Sequence, residues 1–252
     1  MKRALLVLLA LLLFGAIRLP AEHALFQARA GQHLAAAPPD LSLWEQIGQL
    51  GFIAALGGFR SLIGNLLFIQ AHAAWERTDW PRMLLLFRQA TTLQPRAVLF
   101  WDMAAWHMAW NASAAALHDP TQPRQALRIK AQREYFELGR DFLERGIRNN
   151  PERPQLYEAL ARLYREKYRD HEQAAHYYHL AATKPGAPRY LKRFSLYELS
   201  HVDGREQEAY AGLLQLYHSG GEERLPTLIR RLKFLEEQLN IPVQQRIREP
   251  GR

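Results

Sequence analysis

Met83-Leu84-Leu85-Leu86-Phe87-Arg88-Gln89-Ala90-Thr91-Thr92-Leu93-Gln94-Pro95 and, further along, Ala174-Ala175-His176-Tyr177-Tyr178-His179-Leu180-Ala181-Ala182-Thr183-Lys184-Pro185 share one punctuation. In each, an apolar residue, an aromatic four positions later and an Ala three after that fall on one helical stripe. A proline then ends the run, because it lacks the amide proton a helix needs and clashes with the preceding turn. Small residues on such a stripe let a neighbouring helix approach closely, and the aromatic fills the space beside it.

Working outward, Leu67, Ala71 and Ala74 fall at i, i+4, i+7 before the first run, so Gly64 to Ala97 reads as a pair of helices. The next unit begins 34 residues on, with Trp101, Ala105 and Met108 in the matching places. His118-Asp119-Pro120-Thr121-Gln122-Pro123 inserts a loop there, and Gly139, Leu143, Gly146 and Pro151 complete the second half. Tyr157, Leu160, Ala161 and Tyr164 open a third unit that closes with Ala174, Tyr178, Ala181 and Pro185. A more degenerate fourth has Leu191, Phe194 and Ser195, then Ala209, Leu213 and Leu216, and Leu225 to Leu239 reads as a cap. Composition agrees, since 41 Leu and 35 Ala against 20 Val, Ile and Thr together favour helix over a large sheet.

This phased pattern resembles the tetratricopeptide repeat, a 34-residue helix pair with small residues at close crossings, an aromatic in the second helix and a closing proline. The resemblance covers about Gly64 to Leu239 and departs from the family in the second unit, through its insertion and its glycines. It implies an all-α fold: an α-solenoid of about four helix pairs over 64–240 with a C-terminal capping helix. It also implies that first helices line a ligand groove. The positions it places there are Asn65, Phe68, His72 and Trp75 in the first unit, and Asp102, Trp106 and Trp110 in the second. Glu158, Arg162 and Arg165 follow in the third, and Arg189 and Lys192 in the fourth. Such a groove runs from aromatic to basic and suits a protein or peptide partner with apolar residues at one end and carboxylates at the other. The Asn positions of the family's carboxylate clamp do not match, which speaks against a terminal carboxylate as the ligand.

The amino end carries a different signal. Lys2 and Arg3 precede Ala4 to Ile17, an unbroken apolar run that Arg18 closes. With Arg18 snorkelling, residues 1–21 read as a signal-anchor or transmembrane helix with its basic start on the cytoplasmic side. No small-x-small site follows at the usual distance; a cleaved signal peptide is the alternative and implies the same compartment. The expected location is a bacterial inner membrane, single-pass, with the remaining chain periplasmic. Residues 22–40, ending Ala37-Pro38-Pro39-Asp40, read as a linker, 41–63 as a helical entry segment, and 241–252 as a basic tail. Ser42 and Glu45 form a capping-box pattern ahead of Ile47, Leu50 and Ile53. Of the 20 residues from Leu50 to Ile69, 17 are apolar or Gly. They read as two packed helices meeting at Gly57-Gly58 rather than a second span, because Arg60 at mid-membrane costs roughly 2.5–3.5 kcal/mol.

Chemistry is sparse. With no cysteine there is no disulfide, thiolate metal site or cysteine nucleophile. No Gly-rich phosphate loop, HExxH helix or GxSxG elbow occurs, so no catalysis and no cofactor are assigned. Glu172, His176 and His179 share a helical stripe opposite the packing residues, a weak candidate for zinc best read as surface side chains. The net charge of +8 favours acidic partners. Nucleic acid is set aside, because the compartment excludes it and the basic residues lack interleaved stacking aromatics. The expectation is a membrane-tethered scaffold that binds a protein partner and supports an envelope complex. Its rivals are an integral accessory subunit of a transporter or secretion complex and a metal-dependent enzyme.

Overall fold

The computed structural model describes residues 59–247. The expected membrane anchor (1–21) and linker (22–40), most of the expected entry segment (41–63) and the end of the expected basic tail (241–252) lie outside the described residues. Within them the chain is all-α, nine helices packed in adjacent pairs, and no strand occurs. It divides into two compact units at Leu156/Tyr157.

The first unit contains α1 (Arg60–Glu76), α2 (Trp80–Leu93), α3 (98–117) and α4 (Gln125–Asn149). The helices α1 and α2 are joined by a three-residue turn in which Thr78 takes a left-handed backbone, and Asp79 caps α2 by accepting from the Arg82 amide at 3.2 Å. Ala71, Ala74, Met83, Phe87 and Ala90 are all buried, as the stripe pattern requires. Arg60 returns to the far end of the pair, where its guanidinium donates to the Leu93 and Thr92 carbonyls. Those carbonyls are the orphan acceptors of α2's last turn, and a cation there also meets the negative end of the helix dipole. The following loop is held from two sides, because the Pro95 carbonyl accepts from the Trp101 indole at 2.9 Å and the Asn150 amide at 2.8 Å.

Helices α3 and α4 cross closely because α4 supplies glycines. A Cβ on Gly139 would stand 2.7 Å from that of Ala109 and 3.0 Å from the Ala105 carbonyl, and one on Gly146 would meet the Trp101 side chain at 2.8 Å. The loop at 118–124 joins them, as expected. Helix α3 is not uniform: His107–Ala112 is a π-turn between the α-helical stretches Val98–Trp106 and Ser113–Leu117.

The fifth helix, α5, begins at Pro154; it is α-helical over Pro154–Leu163 and ends in a second π-turn, Tyr164–Tyr168. Arg169 then takes a left-handed backbone and Asp170 caps α6 (His171–Ala182) by accepting from the Gln173 amide at 2.9 Å. The second unit continues through α7 (Tyr190–Leu199), α8 (Glu206–Ser219) and α9 (Pro226–Gln238). Helices α6 and α7 pack along their length, with the Ser195 hydroxyl donating to the Ala175 carbonyl at 2.9 Å and Tyr178 edge-on to Phe194. Ala209, Leu213, Leu228, Leu232 and Leu235 form the core between α8 and the closing helix α9. Buried Glu236 ties down the chain beyond α9 by accepting from the Ile247 amide at 2.7 Å.

Candidate protein-binding surfaces

In the first unit the aromatic positions come together. Phe68 of α1 stacks on Phe100 of α3 at 4.4 Å between centroids and meets Phe87 edge-on, so this position is spent on packing. One turn on, His72 meets His107 of α3 at 5.2 Å with the rings perpendicular. Trp75 reaches the same His107 ring at 5.2 Å and Trp106 reaches it at 5.0 Å. The inner side of each indole is thereby fixed, yet Trp75 remains 38% and Trp106 36% exposed. The first helices of two consecutive pairs therefore meet through rings at this face.

His107, which the repeat pattern did not mark, is the keystone of the cluster. It is 1% exposed and lies against Phe87 as well. Burial, reinforced by neighbouring His72, lowers its pKa from 6.5 to about 4, so the ring is neutral at physiological pH. The Asn111 amide donates to Nδ1 at 3.0 Å, which puts the ring proton on Nε2, a buried atom without a hydrogen-bond partner. His72 has the opposite tautomer, its Nδ1–H donating to the Phe68 carbonyl at 3.1 Å.

The π-turn corrects one sequence inference. The groove positions that the resemblance gave to Asp102, Trp106 and Trp110 presuppose a regular helix, but the wider turn from His107 to Ala112 breaks that register. Trp106 is exposed while Trp110 and Asp102 are half-buried and engaged by neighbours. Asn65 is exposed and accepts from the Gln94 amide at 2.9 Å, an amide that also bonds the Ser61 carbonyl, so it serves the end of α2.

In the second unit the polar candidates occupy two places. Glu158 of α5 accepts from the Tyr190 hydroxyl of α7 at 3.0 Å, which joins the first helices of the third and fourth pairs. Arg162 is half-buried on the same helix; Arg165 falls inside the second π-turn and pairs with Glu166 at 2.6 Å, so the two do not continue one regular face. Arg189 and Lys192 line an open cleft of about 700 Å³ with Ala182, Leu216, Glu222 and Glu223. Arg189 lies 3.5 Å from Glu222, and Arg193 pairs with Glu223. The expected basic end is thus charge-mixed, because residues after α8 bring two carboxylates to it.

Glu172, His176 and His179 are exposed on α6, and no cluster of three metal-ligating side chains occurs among the described residues. A titratable group of another kind sits at the ends of α6 and α7. His171 Nδ1 lies 2.8 Å from buried Glu198 and its ring stacks on His201 at 4.7 Å. Burial first, then Arg231 and His171, lower the pKa of His201. Among the described residues no helix is long and apolar enough to cross a membrane. No family model, no curated protein and no solved structure matches this chain.

Proposed function

We propose that this chain is a membrane-tethered helical-repeat scaffold of the tetratricopeptide type, whose first-helix faces hold a protein partner and so support assembly of an envelope complex. The observation that carries the reading is the pair of half-open indoles. Trp75 and Trp106 stand on first helices of successive pairs, rest on one buried imidazole and keep their outer faces in solvent. A rigidly held aromatic loses little rotamer entropy on binding, and Trp is the residue most enriched among interface hot spots. Arg162, Arg165, Arg189 and Lys192 add attraction for an acidic partner, moderated by Glu222 and Glu223. In this reading residues 1–21 are the anchor, Lys2 and Arg3 face the cytoplasm, and the repeats stand on the outer side of a bacterial inner membrane. Neither enzyme activity nor cofactor enters the proposal.

The test is crosslinking of the full-length chain in its native membrane, compared with a Trp75→Ala, Trp106→Ala double variant of unchanged helical circular dichroism. A specific partner present with the intact chain and lost with the variant is the expected result, and reciprocal capture by that partner completes it. If every crosslinked protein is recovered equally from both, the aromatic face has no part in binding. An Arg162→Glu variant, tested separately, reports on the polar positions of the second unit.

A further inference from the structure

The ends of α6 and α7 hold a cluster of ionisable groups that take no part in the partner-binding proposal. Glu198, near the end of α7, is buried, and its carboxylate accepts from His171 Nδ1 at 2.8 Å. His171 is the first residue of α6, and its ring stacks on that of His201, with centroids 4.7 Å apart and planes 26° from parallel. Arg231 of α9 clasps the same turn by donating to the hydroxyl and the carbonyl of buried Ser200. The turn is also bonded to its own helix, since the amides of Ser200, His201 and Val202 donate to the carbonyls of Leu196, Glu198 and Leu199. The residues that lead from α7 into α8 are thus held by α6 through the stacked rings and by α9 through Arg231.

The charges of this cluster balance for one imidazolium and not for two. Glu198 offsets a single positive charge. A second would face the first across the stack, in the field of the Arg231 guanidinium, and His171 already stands at the positive end of the α6 dipole. The other charged groups on the surrounding elements do not relieve this. Asp170 accepts from the Gln173 amide, Glu166 pairs with Arg165, and Glu208 pairs with Arg205, while Asp203 is exposed on the turn itself. Arg165 adds a further positive charge towards Glu198, and neighbouring Tyr178, pushed up to about 12 by burial, stays neutral. Burial, Arg231 and His171 accordingly hold the pKa of His201 below its ordinary 6.5. Near-parallel rings direct their lone pairs side by side rather than to one point, so the pair suits protons and not a shared metal ion.

We propose that residues 200–205 are an acid-operated latch, which opens when the stacked His171 and His201 rings take up more positive charge than Glu198 offsets. The latched turn binds fewer protons than the open one, so it is held at neutral pH and loosens as the pH falls through the ordinary imidazole range. The device gives the second unit a local, reversible response to acid that leaves its core in place. It lies beyond the partner-binding proposal and stands or falls without it.

The test is amide hydrogen exchange of the full-length chain in detergent micelles, corrected for the intrinsic effect of pH. At about pH 5.5, one unit below the ordinary imidazole value, a ring that is neutral when latched and charges freely on release favours opening by about tenfold. Protection of the Ser200, His201 and Val202 amides is therefore expected to fall by about that factor between about pH 7.5 and about pH 5.5, with the amides of Leu232 and Leu235 in α9 unchanged. His201→Gln, at an exposed position, is expected to keep the turn protected at both values. Turn protection that does not vary with pH in the parent overturns the proposal. Equal loss in parent and His201→Gln overturns it in favour of another titrating group, and equal loss in the turn and in α9 overturns it in favour of unfolding of the whole unit.

Discussion

The two units use one arrangement of helix pairs and different chemistry at the joints. All six tryptophans of the chain precede Tyr157, whereas nine of its ten tyrosines lie in the second unit. In the first unit successive first helices meet through stacked and perpendicular rings, Phe68 on Phe100 and His72 on His107. In the second they meet through a hydroxyl donating to a carboxylate, Tyr190 to Glu158, and further links run through Arg193 and Glu223 and through Tyr210 and Glu236. Ring contacts are indifferent to salt and to pH unless one ring titrates; hydroxyl–carboxylate contacts depend on ionisation throughout. The two units therefore respond to different conditions, and indole fluorescence reports on the first unit alone.

The largest expected effect is on that part. Trp101 is fully buried against α4 and donates to the Pro95 carbonyl, so Trp101→Ala removes both volume and a bond. A loss of about 3–5 kcal/mol in urea unfolding followed by the remaining indoles is expected. A loss under 1 kcal/mol would mean that α3 and α4 do not share the close crossing described above.

The second effect is pH dependence. The folded pKa of His107, about 4, lies below its ordinary 6.5, so between those values the unfolded chain binds the extra proton. The stability from keeping this ring neutral is therefore fully present above pH 6.5 and is lost as pH falls towards 4, on the order of 3 kcal/mol in all. Urea titrations by indole fluorescence at a series of pH values measure it. His107→Phe flattens that dependence in the first unit; an unchanged slope would show that another group is responsible.

Glycine substitutions sharpen the contrast between the units. An added Cβ at Gly139 meets the Ala105 carbonyl and the Ala109 methyl, neither of which moves without the helix, so Gly139→Ala costs about 1–3 kcal/mol. At Gly212 the atoms nearest the added one belong to the Leu196 side chain, whose rotamer can change. Gly212→Ala in helix α8 is expected to lie within about 1 kcal/mol of the parent, since the helical preference for Ala offsets the repacking. Circular dichroism melts of both variants decide whether only α3 and α4 demand a glycine. The smallest effect is at the surface: Arg189 and Glu222 are almost wholly exposed, and Arg189→Ala leaves the melting temperature unchanged while still removing a positive charge from the cleft.

Much of the fold was legible because its signals are local. Met83, Phe87 and Ala90, like Ala174, Tyr178 and Ala181, are buried where their spacing put them, and the insertion at 118–123 is a loop. Trp75 and Trp106, which the resemblance placed in a groove, both contact His107 and keep part of each indole exposed. The residue that joins them, His107, was not legible. A histidine beside a tryptophan has no period of its own, and its role depends on a π-turn that no proline, glycine or cap announces. For the same reason the groove positions given to Trp110 and Arg165 presuppose regular helix, which the π-turns His107–Ala112 and Tyr164–Tyr168 interrupt. Glu222 and Glu223 were missed beside Arg189 because they lie a full helix pair away in sequence.

By itself, then, the sequence determined that the repeats are helical, where Pro95, Pro151 and Pro185 close a helix and which stripe of the second helices is apolar, since propensity, periodicity and proline act over a few residues. Only the tertiary structure decided which rings share one imidazole, which glycines are compulsory at a crossing and which carboxylates neutralise the basic cleft. Those outcomes depend on distances between helices, and such distances are set by the packing of side chains remote in sequence rather than by any local preference.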